Sequence, residues 1–356
     1  MTRKRKPVNV HKAAQMTTLY IIVAGMVLVI LGPIFFVVSL SFLSNREAYS
    51  FPLPLLPALT TEFELTHGKR GYLLSVYDRV EGEYQTVLDT GELVKMSEYM
   101  KYQLGTPMTI AEIEPQVAKL ETQDVVRFSH KRNLLFNYQT FFRVAGTGQA
   151  VPALVRSLQI CALTILISLS IGGTAGYAFA RYVFKGKNAL KFSVLFVRMY
   201  PGVAIALPMV IILANMGFYD RPIGLSLVYS VGSIALTVWI TASIFLGIPV
   251  ELEEAAQVFG ATRFGAFMRV TLPLALPGLA AAAMYAFLGA WNETVSAIIL
   301  TQFNPTFSVV VYQTLLGAVG QVNLAAAGGI VMALPAIVFT FLIRRYIRQM
   351  WGGITV

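Results

Sequence analysis

The sequence predicts an all-α polytopic membrane protein with six transmembrane helices and a small mixed α/β insert between helices one and two. Hydrophobic residues make up 56% of the 356 and charged residues only 13%, about half the charged share of a typical soluble domain. Six apolar segments are long enough to cross a bilayer, whose hydrocarbon core needs about 20 helical residues. Basic residues gather in alternate loops, as in proteins that cross a membrane several times.

The six predicted spans are joined by short loops, except after the first. They cover residues 19–43, 154–182, 189–217, 223–247, 274–301 and 324–343. The first follows a cluster of basic residues, as a secretory signal does. However, its apolar run is too long for a signal peptide, and no small-residue cleavage pattern follows it. We therefore expect it to be retained as a membrane helix.

The distribution of lysine and arginine predicts the orientation. Basic residues cluster before span one, between spans two and three, between spans four and five, and after span six, whereas the other short loops carry Arg221 alone. Because cytoplasmic loops retain Lys and Arg, both termini are expected in the cytoplasm. The chain is expected to cross a membrane several times, in contact with lipid.

The net charge of +10 does not indicate a nucleic-acid-binding protein. Residues 44–156 carry 12 basic and 13 acidic side chains, so the positive excess belongs to the membrane part. Nucleic acid binding needs a basic face on a water-exposed module, and no nucleic acid partner is expected.

Residues 44–152 are polar and are expected on the outer side of the membrane. A proline-rich start, residues 51–57, predicts an extended exit from the first span. Residues 72–77 and 84–88 alternate apolar with polar side chains around a Gly82 turn, which favours a hairpin. A helix is expected up to Gly105, and Thr109 with Glu112 has the spacing of a capping box. The insert is either an external docking domain or a small cap over the helix ends.

The loop between spans four and five, residues 248–273, predicts two short helices. Its first part has a proline near the helix start, three glutamates in the first turn, two small residues and a terminating glycine: Pro249, Glu251, Glu253, Glu254, Ala255, Ala256 and Gly260. Acidic residues stabilise a helix N-terminus, and glycine is a common helix stop. Thr262 can cap a second helix, which Leu272-Pro273 is expected to end.

This loop resembles the EAA loop of binding-protein-dependent ABC importers. The resemblance lies in Glu254-Ala255-Ala256, in Gly260 four positions later, and in Val270-Thr271-Leu272-Pro273 after nine further residues. It extends to residues 19–43 and to the chain from about residue 138 onwards. The sequence is most similar to the maltose-type, carbohydrate-importing permeases, and within them to the smaller of the two paired permeases. Two features depart from that pattern: Arg156-Ser157 replaces a common Asn-Ser, and the insert is longer.

The resemblance implies the type I ABC importer permease fold and three regions. These are a cytoplasmic N-terminus with the first helix (residues 1–43), the extracytoplasmic insert (44–152), and a five-helix core with the coupling loop (153–356). The residues expected to contact the ATPase are Glu254, Ala255, Ala256, Gly260, Leu272 and Pro273. The implied partners are a second permease subunit, an ATPase homodimer and an extracytoplasmic substrate-binding protein. No cofactor is expected in this chain, since ATP and Mg²⁺ would be bound by the ATPase. The implied location is the cytoplasmic (inner) membrane of a bacterium or archaeon.

Polar residues inside predicted spans are candidates for the substrate path. Ionisable groups in a bilayer are costly and mark functional positions by default. The candidates are Arg198 in span three and Trp291, Asn292 and Glu293 in span five; an amide can bind sugar hydroxyls and an indole can stack on a sugar ring. The alternative is that these groups only pair, pack or gate. Pro201 and Pro208 are expected to kink span three, while Gly172, Gly173 and Gly176 would allow close helix packing.

The predicted function is the membrane-spanning subunit of an ATP-driven importer for a small sugar of the maltose, trehalose or maltodextrin kind. The chain lacks a G-x-x-x-x-G-K-[ST] phosphate loop and the common hydrolase motifs, so no catalytic residues are expected. Cys161 is the single cysteine and the three histidines are far apart, so no metal site is expected. The alternatives are an importer of another cargo, such as glycerol phosphate, and a stand-alone secondary transporter, which would spread acidic residues through several spans.

Overall fold

The computed structural model describes residues 10–79, 81–144, 149–317 and 321–352. The chain divides into two compact units. The first comprises Met1–Phe141 with Gly320–Ile330, and the second comprises Phe142–Val319 with Val331–Val356.

The first unit contains one long helix followed by a small α/β insert. Its elements are α1 (Val10–Phe42), α2 (Asn45–Ala48), β1 (Thr60–Gly68), β2 (Gly71–Asp78), β3 (Glu83–Thr90), α3 (Leu93–Leu104), α4 (Ile110–Ala118), β4 (Val125–Lys131) and the start of α5 (Phe136–Val144). The four strands form an antiparallel sheet in the order β3-β2-β1-β4. The predicted hairpin corresponds to β2 and β3, whereas β1 and β4 were missed.

The insert has its own apolar core, because one face of the sheet packs against α3 and α4. Phe63 and Leu65 on β1 and Leu74 on β2 are fully buried. They meet Met96 and Met100, which are four residues apart and therefore share one face of α3. Such a core allows the insert to be a compact module.

Both helix boundaries predicted within the insert are confirmed. Gly105 ends α3 with φ +64°, a left-handed conformation that costs glycine little. The Glu112 carboxylate accepts hydrogen bonds from the Thr109 backbone N–H at 2.8 Å and the Thr109 hydroxyl at 2.9 Å. These bonds lower the pKa of Glu112.

Buried polar contacts join the insert to the end of α1. Arg132, which follows β4, donates to Glu47 at 2.6 Å and to the Phe42 carbonyl at 3.2 Å. The Asn137 amide on α5 donates to the carbonyls of Ser41 and Leu43, each at 2.8 Å. These bonds satisfy carbonyls that the end of a helix leaves without intrahelical partners.

The second unit is helical in the residues that the structure describes. It contains α6 (Ala150–Ser168), α7 (Thr174–Arg181), α8 (Lys187–Val197), α9 (Gly202–Asn215), α10 (Pro222–Leu246), α11 (Glu251–Val258), α12 (Arg263–Ala266), α13 (Leu272–Trp291), α14 (Val295–Leu300), α15 (Phe307–Leu316) and most of α16 (Val322–Gly352). The π-helical turns Leu169–Gly173 and Phe267–Thr271 join α6 to α7 and α12 to α13.

Across the described residues, five helices are long and apolar enough to cross a membrane. They are Gln15–Phe42, Ala150–Arg181, Pro222–Leu246, Arg263–Trp291 and Val322–Arg344. The number becomes six if α8 and α9 are taken as one broken span. The predicted span over residues 189–217 is therefore not one continuous helix. It bends by 86° between Val197 and Gly202, next to Pro201, because proline lacks an N–H donor and restricts the residue before it.

The fifth span differs from its prediction at both ends. It stops at Trp291, and the shorter helix α14 follows after a break. At the other end, the expectation that Leu272-Pro273 ends a separate helix is wrong, since the helix runs from Arg263 to Trp291. The Leu272 N–H donates to the Phe267 carbonyl, five residues earlier. This wider turn accommodates a proline that has no N–H of its own.

Close packing of helices through glycine, as predicted, occurs in the α6–α7 region. A Cβ on Gly172 would lie 2.8 Å from the Thr237 side chain, and a Cβ on Gly176 would lie 2.9 Å from the Ala242 backbone nitrogen. Gly173 has more space, since its nearest neighbour would be 3.8 Å away. Two of the three glycines therefore let α10 approach closely.

Candidate functional sites

Two helix breaks in the second unit open onto one cavity of about 240 Å³. The first break separates α8 from α9, and the second separates α13 from α14. They adjoin, because a Cβ on Gly202 would lie 3.2 Å from the Ser296 hydroxyl. Broken membrane helices leave backbone groups available to a solute and are tolerated where they line a cavity.

The cavity lining combines one cation, one carboxylate and several hydroxyl groups. Arg198 and Glu293, both predicted as candidates, line it together. Tyr200, Tyr229 and Tyr285 also line it, and the sequence reasoning missed them. Tyrosine combines a flat apolar ring with a hydroxyl that donates and accepts. Such a lining suits a polar solute that carries hydroxyl groups and apolar ring faces.

A sequence signal existed for only some of these residues. Within the predicted span over residues 274–301, Tyr285 and Gly289 precede Glu293 by eight and four residues, a spacing that predicts one shared helix face. In the structure, α13 ends at Trp291, before Glu293. Tyr200 and Tyr229 lie on other elements and reach the cavity through folding.

Glu293 already has protein partners and positions the start of α14. One carboxylate oxygen accepts from the Ser296 N–H at 2.9 Å and the Ser296 hydroxyl at 3.1 Å. The other accepts from the Tyr229 hydroxyl at 2.8 Å and the Ala297 N–H at 3.3 Å. A carboxylate at a helix N-terminus stabilises the unpaired N–H groups there. Glu293 therefore connects α10 to α14 at the cavity wall.

The other two candidates of span five lie in different surroundings. The Trp291 indole is 3% exposed, donates to the Met332 carbonyl at 2.9 Å, and stacks on Phe287 with 5.6 Å between ring centroids. This side chain packs in the core of the second unit. Asn292 is exposed and follows the last residue of α13. The structure thus brings Arg198 and Glu293 to one cavity, whereas Trp291 is buried in the core.

The loop over residues 248–273 has a buried ionic anchor. Glu253 on α11 is 6% exposed. Its carboxylate accepts from Arg181 Nε at 2.7 Å and from the Tyr177 hydroxyl at 2.8 Å. Arg181 Nη1 also donates to the carbonyls of Phe245 and Ile248 at 2.9 and 3.0 Å. One guanidinium therefore joins the end of α7, the end of α10 and the start of α11.

The ionisation of Glu253 follows from these contacts. Burial acts to raise its pKa, but the nearby Thr271 hydroxyl, the hydrogen bonds from Tyr177 and Arg181, and the Arg181 charge together outweigh it. The pKa of Glu253 is therefore lowered. The carboxylate remains charged and paired at neutral pH.

The opposite face of this loop is open. Glu254 and Ala255 are exposed, and the large apolar side chains of Val258, Phe259 and Phe264 are 84%, 90% and 68% exposed. We call these exposed apolar side chains of the loop the ridge. Several exposed apolar side chains in one short loop are typical of a surface that contacts a partner.

The turn between α11 and α12 depends on two residues that were predicted from the sequence. Gly260 has φ +89°, which favours glycine, and its N–H donates to the Gln257 carbonyl at 2.9 Å. The Thr262 hydroxyl caps α12 by accepting from the Gly265 N–H at 3.0 Å. By contrast, Leu272 and Pro273 lie within the continuous fifth span and not at its boundary.

The sequence matches a family model described as the inner membrane component of binding-protein-dependent transport systems. The match covers residues 168–351, which is just over half of the chain and includes both helix breaks and the whole 248–273 loop.

Two curated relatives illustrate the similarity. The chain is 35% identical to the trehalose transport system permease protein SugB of Mycobacterium tuberculosis, over 55% of this chain and 73% of that protein. It is 32% identical to the maltose/maltodextrin transport system permease protein MalG of Vibrio vulnificus, over 56% of this chain and 69% of that protein.

A solved structure shares the fold. It is the crystal structure of a bacterial ABC transporter involved in the import of the acidic polysaccharide alginate, with a TM-score of 0.60 and 15% sequence identity. The superposition covers 97% of this chain and 100% of that chain. The helix count and the broken spans describe a helical membrane protein, and the family model matches just over half of the chain. This chain therefore belongs to the family of inner membrane components of binding-protein-dependent transport systems.

Proposed function

We propose that the chain is one of two permease subunits of an ATP-driven importer for a small sugar or oligosaccharide. As a permease it is a transport subunit and not an enzyme. The relatives named for trehalose and maltose transport support the cargo class. The observation that carries the proposal is the 248–273 loop, because its buried side is anchored by Glu253 to Arg181 while its other side exposes an apolar ridge.

This ridge is the proposed contact with the ATPase. Glu254, Ala255, Ala256 and Gly260 lie on or beside it, next to the exposed side chains of Phe259 and Val258. An apolar helix face that enters a groove of a partner is a recurring mode of recognition. Closure of an ATPase homodimer, which binds the ATP and Mg²⁺, would push on α11, and the Arg181–Glu253 pair would pass the movement to α7 and α10.

The cavity at the two helix breaks is the proposed part of the translocation path. Its two exposed tyrosines, Tyr200 and Tyr285, can stack on sugar rings, and Arg198 can donate hydrogen bonds to hydroxyl groups. Because one acidic group accompanies the one cation in the lining, the cavity suits a neutral solute better than a phosphorylated one. A second permease subunit would supply the other half of the path.

The insert is proposed to lie outside the cytoplasm and to dock the substrate-binding protein, with both chain termini in the cytoplasm. Its own core of strands and helices supports a docking domain over a simple cap, since a cap needs no independent module. The alternation of basic loops supports the orientation.

The first test is to tag the chain, extract it gently from its native membrane, and identify the proteins that copurify. The proposal expects an ATPase and one further permease subunit. Candidate sugars, added with the binding protein, are then ranked by stimulation of ATP hydrolysis, with glycerol phosphate as the alternative cargo. Isolation of the chain alone, or as a homo-oligomer with no ATPase, would reject the proposal in favour of a stand-alone transporter.

A further inference from the structure

Residues 51–59 form an uncharged segment with unusually exposed apolar side chains. The sequence from Phe51 to Leu59 contains three prolines, five large apolar residues and one alanine. Phe51 is 97% exposed, Leu56 74%, Leu59 66% and Leu55 57%. Single exposed apolar residues are ordinary, but several grouped in one short segment indicate a contact surface.

This segment folds back onto the last turns of α1. The Ser39 hydroxyl, near the end of α1, donates to the Leu55 carbonyl. Leu53 packs against Leu40 and Leu43. These contacts hold one side of the segment. Ala58 is buried and Leu56 borders a pocket shared with the insert, but the side chains of Phe51, Leu55 and Leu56 remain largely exposed.

The position of Ser39 along α1 places the segment at the membrane boundary. The apolar run of α1 begins at Leu19, and about 20 helical residues cross the hydrocarbon core, which brings the far boundary to Val38. The large apolar side chains of α1 are exposed as far as Val37, and Ser39 and Leu40 are buried. The contact between Ser39 and Leu55 therefore lies where the hydrocarbon meets the headgroups.

We propose that residues 51–59 are a lipid anchor that inserts Phe51, Leu55 and Leu56 into the interfacial layer of the bilayer. The exposed apolar side chains of the segment follow those of α1 along the chain, and residues 51–59 carry no charge that would oppose entry into lipid. Its prolines, Pro52, Pro54 and Pro57, have no backbone N–H, which removes three donors that would otherwise need partners in a poorly hydrated layer. The anchor holds the insert against the membrane face from which it emerges.

This inference depends on α1 crossing the membrane and not on the cargo or on the ATPase. The segment is proposed to contact lipid and not protein, because it lies beside α1 at the depth of the headgroup layer. A second permease subunit or the binding protein would be the occupant if the segment faced protein instead.

The test uses the complete transporter in lipid nanodiscs, with an environment-sensitive fluorophore on a single cysteine. Cys161 is the only native cysteine and is buried, so Cys161→Ala gives the background. Labels are placed at Phe51→Cys and, separately, at Leu56→Cys. The matched control is Lys69→Cys, which is exposed at the β1–β2 turn, roughly 25 Å along the strand from the end near α1.

The proposal expects emission at shorter wavelength from the Phe51 and Leu56 labels than from the Lys69 label. It also expects nitroxide-labelled lipids to quench most of their emission and little of the control's. Water-like emission at both sites would overturn the proposal. A shift to shorter wavelength without quenching by lipid nitroxides would also overturn it, because the segment would then face another protein.

Discussion

At the residue scale, Glu253 and Glu254 show how neighbouring identical side chains take different roles. Both lie in the first turn of α11, where the helix dipole favours acidic groups. Glu253 faces inward and pairs with Arg181 and Tyr177, whereas Glu254 faces outward. The motif resemblance selects Glu254 as a contact residue. Only the structure identifies Glu253 as the anchor.

We expect Glu253→Gln to destabilise the chain strongly. The substitution leaves the Arg181 guanidinium, which is 7% exposed, buried without its carboxylate, and breaking a buried ion pair in this way costs about 3–5 kcal/mol. Thermal unfolding of the detergent-solubilised transporter would measure the loss. Glu254→Gln is the matched control and should change stability by less than about 0.5 kcal/mol. Equal stability of the two glutamine variants would contradict the anchoring role.

The same pair predicts a pH dependence. Since the pKa of Glu253 is lowered in the folded protein, its stabilising contribution is complete above the ordinary carboxyl pKa. That contribution is lost as the pH falls through the lowered value. Unfolding temperatures measured across the acidic range should converge for the wild type and Glu253→Gln. A difference that stays constant down to the lowest pH would argue against ionic anchoring.

At the element scale, turns and breaks decide where side chains meet. The α11–α12 turn requires Gly260 at φ +89°, and the cavity requires the breaks after α8 and α13. Composition alone does not show that the helix stops at either break, because apolar helical sequence lies on both sides of it. Pro201 marks the first, while the second depends on Glu293 binding the N–H groups of α14.

We expect Gly260→Pro to uncouple transport from ATP hydrolysis while the chain still inserts into the membrane. Proline is restricted to φ near −65°, so it cannot adopt the turn, and the exposed ridge would be displaced. Transport and ATPase stimulation in proteoliposomes would be measured together with the amount of inserted protein. Gly260→Asn is the control, since asparagine tolerates a left-handed conformation. Normal transport by Gly260→Pro would remove the case for coupling through this turn.

At the scale of the whole molecule, the insert and the helical unit have separate cores. The insert core lies between its sheet and the helices α3 and α4, and the main helical core lies among α6, α9, α10 and α13. Thr60 and Lys131, at the two ends of the sheet module, are paired strand partners. A short linker can therefore replace the residues between them without stretching the chain.

Replacing residues 61–130 with a short Gly-Ser linker is expected to leave membrane insertion and assembly with the ATPase intact. Stimulation of ATP hydrolysis by the binding protein should be lost, because the proposed docking module is absent. Copurification measures assembly, and ATPase assays with and without the binding protein measure docking. If stimulation persists, the insert is a cap and not a docking domain.

The sequence alone determined the membrane class, the approximate spans, the hairpin, both insert helices and the turn at Gly260. These features depend on local composition, spacing and backbone preference, all of which can be read along the chain. Strand β4 was missed because its pairing with β1 joins residues 59 to 71 positions apart. Strand β1 was missed although it also forms a local hairpin with β2. The continuity of the fifth span through Pro273 was missed because a wider helical turn accommodates the proline.

The tertiary structure decided which polar residues meet. Arg198 and Glu293 line one cavity only because α8 bends away from α9 and α13 stops short of α14. Trp291 is only two residues before Glu293, but its side chain packs in the core, since Trp291 is the last residue of α13 and Glu293 follows in the break. Arg181 reaches Glu253 across 72 residues of sequence. A buried charged side chain is stable only when it lies beside a suitable partner. The fold determines which residue is that partner.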